Sequence, residues 1–200
     1  MSYIAKVTLD IYFSLVMAAI TNVSMTANLF PLKGFLDLKM LCNNLANCIY
    51  QNTYFVRLVK RLREPKVTVM IYDTGKLVCV GATSIENGRR ALRVVGRQIQ
   101  KLGYNVTIHN IQVANIAGSH QLNTLFDIKK LYNSLSLLKS TNVFLETEIF
   151  PHMIIDLNTY GKITLTRKGK MILTGCKTEE NLNFLLSNFL NIFNSFVKTL

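Results

Sequence analysis

Residues 61–82 read RLREPKVTVMIYDTGKLVCVGA: a basic lead-in, an alternating run, a tight Gly turn and a second alternating run. A strand buried on one face alternates core and outer side chains with period two. That rule sends Val67, Val69 and Ile71 inward and Lys66, Thr68, Met70 and Tyr72 outward. After the Asp73-Thr74-Gly75 turn, Leu77 and Cys79 rejoin the core, leaving Lys76, Val78 and Val80 beside Tyr72 and Thr68. The pattern recurs at residues 161–176, GKITLTRKGKMILTGC, where Gly169-Lys170 falls 94 residues after Gly75-Lys76 (169 − 75). There Ile163, Leu165, Met171 and Leu173 face in, and Lys162, Thr164, Thr166, Lys170, Ile172 and Thr174 face out. The chain reads as two copies of one unit.

Each copy extends the same way on both sides. Thr83 and Glu86 fit a capping box, and the helix that follows carries Ile85, Gly88, Leu92, Val95, Ile99 and Leu102 on one stripe before Gly103. Its other side is Arg89, Arg90, Arg93, Arg97 and Lys101. In the second copy Thr178 starts a long helix with Glu179 and Glu180 in the first turn, where the helix dipole favours carboxylates. Upstream, residues 20–29 and 108–116 are strand candidates. Residues 36–47 and 126–138 are helix candidates, the first with Leu38, Leu41, Leu45 and Cys48 at helical spacing. Residues 50–54 are polar and loop-like, and residues 55–63 interleave apolar and basic side chains. Each half therefore reads strand, helix, several strands, long helix: an α+β unit with an antiparallel sheet covered by helices on one face and free on the other. The expected organisation is an extension at 1–19, a first repeat at 20–109 and a second at 110–200.

With 200 residues, half of them apolar, the chain can bury one core or two small ones. A net charge of +12 points to a polyanionic partner, nucleic acid ahead of an anionic membrane surface. Cys42, Cys48, Cys79 and Cys176 contain no CxxC pair and fit buried free thiols. His109, His120 and His152 lack metal-ligand spacing, so neither a metal nor another cofactor is expected, and no constellation supports an enzyme. No apolar run reaches membrane-spanning length. Lys6 before the apolar residues 11–20 mimics a short secretory signal, but Asp10 interrupts it, and the sequons at Asn22 and Asn105 are read as accidental. The apolar residues 11–19 leave three readings open: an added strand, a partner segment or a translation-start artefact.

Several segments in order now carry a resemblance: LDLK (36–39), RLREP (61–65), the Gly-Lys turn with Gly81-Ala82, QKLG (100–103), ANIAGS (114–119), ETEIFP (146–151) and GKMILTG (169–175). From about residue 20 onward the chain resembles the TATA-box-binding protein (TBP) family. The resemblance implies a pseudo-twofold saddle, whose concave antiparallel sheet sits on the minor groove of double-stranded promoter DNA and whose convex helices face other proteins. It implies a nuclear general transcription factor that helps assemble the preinitiation complex. In that family aromatic pairs wedge into base steps and kink the duplex, a mechanism taken over here from the family. By motif the pairs fall on Phe55 with Tyr72 and on Phe150 with Thr166.

The chain departs from the family at Thr166, since a threonine cannot unstack a base step, and distortion is expected mainly at the Phe55 and Tyr72 end. The paired asparagines map to Asn28 and Asn115, and the hydroxyl positions beside them to Val80 and Thr174, of which Val80 has no hydroxyl to offer. Val78 and Ile172 complete the groove surface. Phosphate contacts map to Arg61, Lys66, Lys76 and Lys170, whereas one basic position aligns with Asp156. Glu146, Glu148 and Ile149 match the stirrup that meets transcription factor IIB. Ile49, Tyr50, Gln51 and Asn52 lie where factor IIA adds its strand. TBP-associated factors are further candidate partners. The last helix, with Phe184, Leu185, Leu186, Phe189, Leu190, Ile192, Phe193 and Phe196, has an apolar arc wide enough for another protein or a second copy of the chain. An alternative is a TBP-like factor with weak or no TATA preference that acts mainly through factors IIA and IIB. ITNV (20–23), the Ile49-Tyr50 pair and GATS (81–84) lean that way, while Phe55 and the two asparagines lean back. A basic domain that binds only proteins is a third reading.

Overall fold

The structure, a computed structural model, describes residues 17–122, 125–138 and 141–197, with side chains as far as residue 193 in the last helix. Residues 11–16 of the apolar N-terminal stretch and the Phe196 side chain lie outside the described residues. The chain divides into two compact units. One is Thr21–Asn115; the other joins the described residues up to Ile20 to those from Ile116 onward.

The first unit contains β1 (Ala19–Phe30), α1 (Leu38–Asn44), β2 (Cys48–Asn52), β3 (Val56–Leu62), β4 (Val67–Tyr72), β5 (Lys76–Ala82) and α2 (Ile85–Lys101). Its antiparallel strand order is β2-β3-β4-β5-β1. The β4–β5 hairpin has the alternation read from the sequence: Val69 pairs with Cys79 and Ile71 with Leu77, all fully buried, while Thr68 pairs with Val80 and Met70 with Val78, all half-buried. Gly75 closes the turn at φ +84, donating its N–H to the Tyr72 carbonyl at 3.0 Å. A side chain there would be strained by that φ and crowded by the Leu29 carbonyl oxygen, 3.3 Å from an added Cβ. Helix α2 lays Ala91, Leu92, Val95 and Ile99 onto the buried face. Each fully buried Val, Leu or Ile contributes on the order of 1.5–3 kcal/mol. Arg89, Arg90, Arg93, Arg97 and Lys101 stay in solvent on its other side.

Three local expectations are corrected. Ser84, not Thr83, caps α2: its hydroxyl accepts from the Asn87 N–H at 3.1 Å, and Thr83 instead takes the Asn87 side-chain amide. Helix α1 is only seven residues long, capped by Asp37 through the Lys39 and Met40 N–H groups. It stops because Leu45 turns extended and Asn47 adopts φ +55, so Leu45 and Cys48 leave the helical stripe. Residues 50–52 of the expected loop are strand instead: they belong to β2, which pairs with β3 from Cys48↔Lys60 to Asn52↔Val56. A strand with one neighbour has little burial to signal it in the sequence.

The second unit repeats the order with β6 (Thr107–Gln121, from Ile116 in this unit), α3 (Ile128–Ser136), β7 (Asn142–Phe144), β8 (Met153–Asp156), β9 (Lys162–Leu165), β10 (Lys170–Cys176) and α4 (Glu179–Val197). The strand order is β6-β10-β9-β8-β7. Ile163, Leu165, Met171 and Leu173 are fully buried as expected, and α4 covers them with Leu182, Leu185, Leu186, Phe189 and Leu190. Thr178 caps α4 through the Asn181 N–H at 3.1 Å. The Glu180 carboxyl, beside that hydroxyl and its own N–H, is held below the usual carboxylate range. Helix α3 is shorter than expected, starting after its Asp127 cap and ending at Ser136. Each unit is thus an antiparallel sheet with helices on one face, an α+β fold present twice.

Candidate nucleic-acid interface

In both units the sheet face opposite the long helix carries the outer set of the alternation. On the first unit this face is laid out by register. Arg57 pairs with Tyr72; Val59, Met70, Val78 and Thr26 form the next cross-strand row; Arg61, Thr68 and Val80 the one after. The centre is apolar and half-buried, and the rim is basic: Arg61, Lys66 and Lys76 are exposed, with Asn28 paired to Lys76 across β1 and β5. Arg61, Arg63, Lys66 and Val80 line a groove of about 530 Å³. Phe55 precedes β3 and is 70% exposed, which for a large aromatic next to a buried core is an uncompensated apolar surface.

On the second unit the outer row runs Phe144, Ile154, Thr164, Ile172 and Ser119. The next runs Asn142, Asp156, Lys162 and Thr174. Lys170 is exposed, paired to Gln121. Thr166 does not project as a wedge: its hydroxyl accepts from the Lys170 N–H at 3.0 Å, closing the β9–β10 turn. Asp156 is not a bare anion, because Lys162 Nζ lies 2.9 Å from its carboxylate. That pair removes both a repulsion and a cation from this face. It is the one ion pair found among the described residues, so Arg61, Lys66, Lys76 and Lys170 keep their charge available.

The structure brings Asn28, Lys76, Val78, Val80, Tyr72 and Lys66 onto one face, with Phe55 at its border. Ile172, Thr174 and Lys170 share a face of the second unit with Phe150 near its edge. Asn115, half-buried on β6, belongs to the first unit rather than with the second-copy residues. Of the partner positions, Ile49, Tyr50, Gln51 and Asn52 form the edge strand β2, and Gln51 accepts from Arg57 Nε at 2.9 Å. Glu146, Glu148 and Ile149 sit in the exposed turn between β7 and β8, with Ile149 86% exposed.

Some residues of these faces went unnoticed in the sequence. Arg57 lies beside Tyr72, and His152 touches Phe150; Lys60, by contrast, lies on the buried side of β3 opposite Val69, with its ammonium on the Ala46 carbonyl at 2.8 Å. Parity along β3 and β8 was the available signal, but each strand's start had to be known to apply it. Elsewhere, burial pushes the Cys79 thiol up to about 11 and moves Cys176 the same way. Burial also lowers His120. Among the described residues no cluster of His, Cys, Asp and Glu could hold a metal, and no helix is long and apolar enough to cross a membrane.

A family model, transcription factor TFIID (or TATA-binding protein, TBP), matches residues 17–102 and again 110–196. The TATA-box-binding protein of Tetrahymena thermophila is 36% identical over 165 residues, covering 81% of this chain and 63% of that protein. TATA box-binding protein-like 2 of Mus musculus is 33% identical over 187 residues, 93% of this chain and 52% of its own length. TATA-box-binding protein 2 of Entamoeba histolytica is 33% identical over 161 residues, 80% of this chain and 74% of that one. The chain thus spans between half and two thirds of the Tetrahymena and mouse proteins. The solved structure of Methanococcus jannaschii TBP aligns with a TM-score of 0.74 at 24% identity, covering 90% of this chain and 99% of that chain, a likeness of fold.

Proposed function

The chain belongs to the TATA-box-binding protein family, and on that premise we propose that it is a nuclear DNA-binding scaffold of transcription initiation that grips the minor groove without performing chemistry. The observation that carries this is the uncovered sheet face of the first unit, an apolar centre of Met70, Val78 and Val80 rimmed by the exposed cations Arg61, Lys66 and Lys76. Cations at the rim neutralise phosphates and release counterions. The apolar centre lies against a groove floor where A·T pairs offer only acceptors, and Asn28 and Asn115 supply donors to them. Phe55 and Tyr72 insert at one end of the site, offsetting the cost of unstacking with the extra contact a bent duplex permits. The edge strand β2 receives a strand of factor IIA, and Glu146, Glu148 and Ile149 receive factor IIB.

Two observations favour relaxed sequence preference as a second reading: Val80 has no hydroxyl, and the Thr166 hydroxyl is committed to its own turn. Titration of TATA, mutated and GC-rich duplexes separates the readings. A preference for TATA above about tenfold, or 1.4 kcal/mol, supports a TATA-selective factor, and equal affinity supports the TBP-like reading. Absence of binding to any duplex refutes the DNA scaffold.

A further inference from the structure

We infer that His152 replaces the missing second ring of the wedge on the second unit, so that Phe150 and His152 together enter an A·T-rich base step where Thr166 cannot. The inference rests on the minor-groove reading above and adds a residue to it. Met153 pairs with Leu165, and one further step of the same antiparallel register sets His152 opposite Thr166. Met153 and Ile155 are buried toward the helices, so by alternation His152 and Ile154 belong to the open face. The Phe150 ring, 41% exposed, meets the imidazole edge-on, with centroids 4.9 Å apart and planes at 80°. That is the separation and angle aromatic pairs favour. The imidazole Nδ1 is buried with no hydrogen-bond partner. With Nδ1 unmatched, what the imidazole offers toward Phe150 is its aromatic edge and face.

The first unit shows the same position filled the other way round. Two residues after Phe55 stands Arg57, drawn to Gln51 at 2.9 Å, and its cross-strand partner is the ring of Tyr72. Two residues after Phe150 stands the ring of His152, and its cross-strand neighbour is the short Thr166. Each border therefore holds one leading Phe and one further ring, on β4 in the first unit and at the mouth of β8 in the second. Distortion is then not confined to the Phe55 and Tyr72 end.

The test places 2-aminopurine at each end of a TATA duplex and follows its fluorescence on adding the full chain, its His152→Ala and His152→Phe variants and Phe150→Ala. The result expected is enhancement at both ends with the native chain, loss at the second end alone with His152→Ala, and retention with His152→Phe. Unchanged first-end enhancement in His152→Ala shows that the variant is folded and bound. Enhancement at the second end that survives His152→Ala but not Phe150→Ala overturns the inference, since Phe150 would act alone. Enhancement only at the first end with the native chain also overturns it while leaving the proposed function standing. No enhancement at either end refutes the wedge mechanism and this inference together.

Discussion

The salt dependence of DNA binding follows from which cations are free. Each phosphate neutralised on duplex DNA contributes about −0.9 to the slope of log affinity against log salt. Arg61, Lys66, Lys76 and Lys170 are exposed and outside any ion pair found among the described residues, whereas Lys162 is held by Asp156 at 2.9 Å. Four contacts give a slope of about −3.6, a loss of roughly 150-fold in affinity between 50 and 200 mM salt. Replacing Lys76 and Lys170 by Gln should halve the slope to about −1.8, a loss of roughly 12-fold over the same range. Lys162→Gln should leave the slope unchanged. Asp156→Asn frees Lys162 and should steepen it toward about −4.5. Fluorescence anisotropy with a labelled TATA duplex across that salt range reads all of these. A native slope shallower than about −1, or a Lys162→Gln slope reduced as much as that of the Lys76 and Lys170 double variant, would refute the assignment.

Other outcomes follow from the geometry. Phe55→Ala and Tyr72→Ala should each weaken TATA binding by on the order of 1–3 kcal/mol and reduce bending by energy transfer, with unchanged melting of the free protein; undiminished bending would remove these rings from the wedge. Gly161→Ala should cost about 1–3 kcal/mol, because φ is +126 and the new Cβ would lie 2.6 Å from the Thr174 carbonyl oxygen; an unaltered melting temperature would contradict this. Burial raises Cys79 to about 11, so its contribution to stability is intact below the thiol's unfolded value and lost as pH rises through the folded one. Urea midpoints should therefore fall between pH 8 and pH 11, less steeply in Cys79→Ala, and equal steepness in both proteins would count against it. Asp37→Ala removes the cap of α1 and should cost about 1 kcal/mol, read as a lower urea midpoint; no change would show the cap to be idle.

The core was legible because alternation and the helical stripe both report burial. Val67, Val69, Ile71, Leu77 and Cys79, and their second-copy counterparts, are buried on the faces the sequence assigns. The edge strand β2 was not legible, since Gln51 and Asn52 have only β3 beside them and look like loop residues. The α2 cap was misplaced by one residue because Thr83 and Ser84 are chemically equivalent until the backbone turn is known. At the candidate interface, outer-face residues follow from parity once a strand's ends are fixed. What depends on cross-strand partners was hidden: the Lys162 ammonium against Asp156 and the tie of the Thr166 hydroxyl to the Lys170 N–H both join residues that no local pattern links. Sequence distance carries no information about such pairs.

The central claim is that the open sheet faces read the minor groove. Exchanging A·T pairs of a TATA duplex for inosine·cytosine pairs rebuilds the major groove but leaves the minor groove without the guanine amino group, so it still presents only acceptors. Exchange for G·C pairs adds that amino donor. Measured side by side at one salt concentration, the account predicts that the inosine duplex binds within a few-fold of TATA and that the G·C duplex binds more weakly than either. An inosine duplex as weak as the G·C one would place the reading in the major groove and contradict the account.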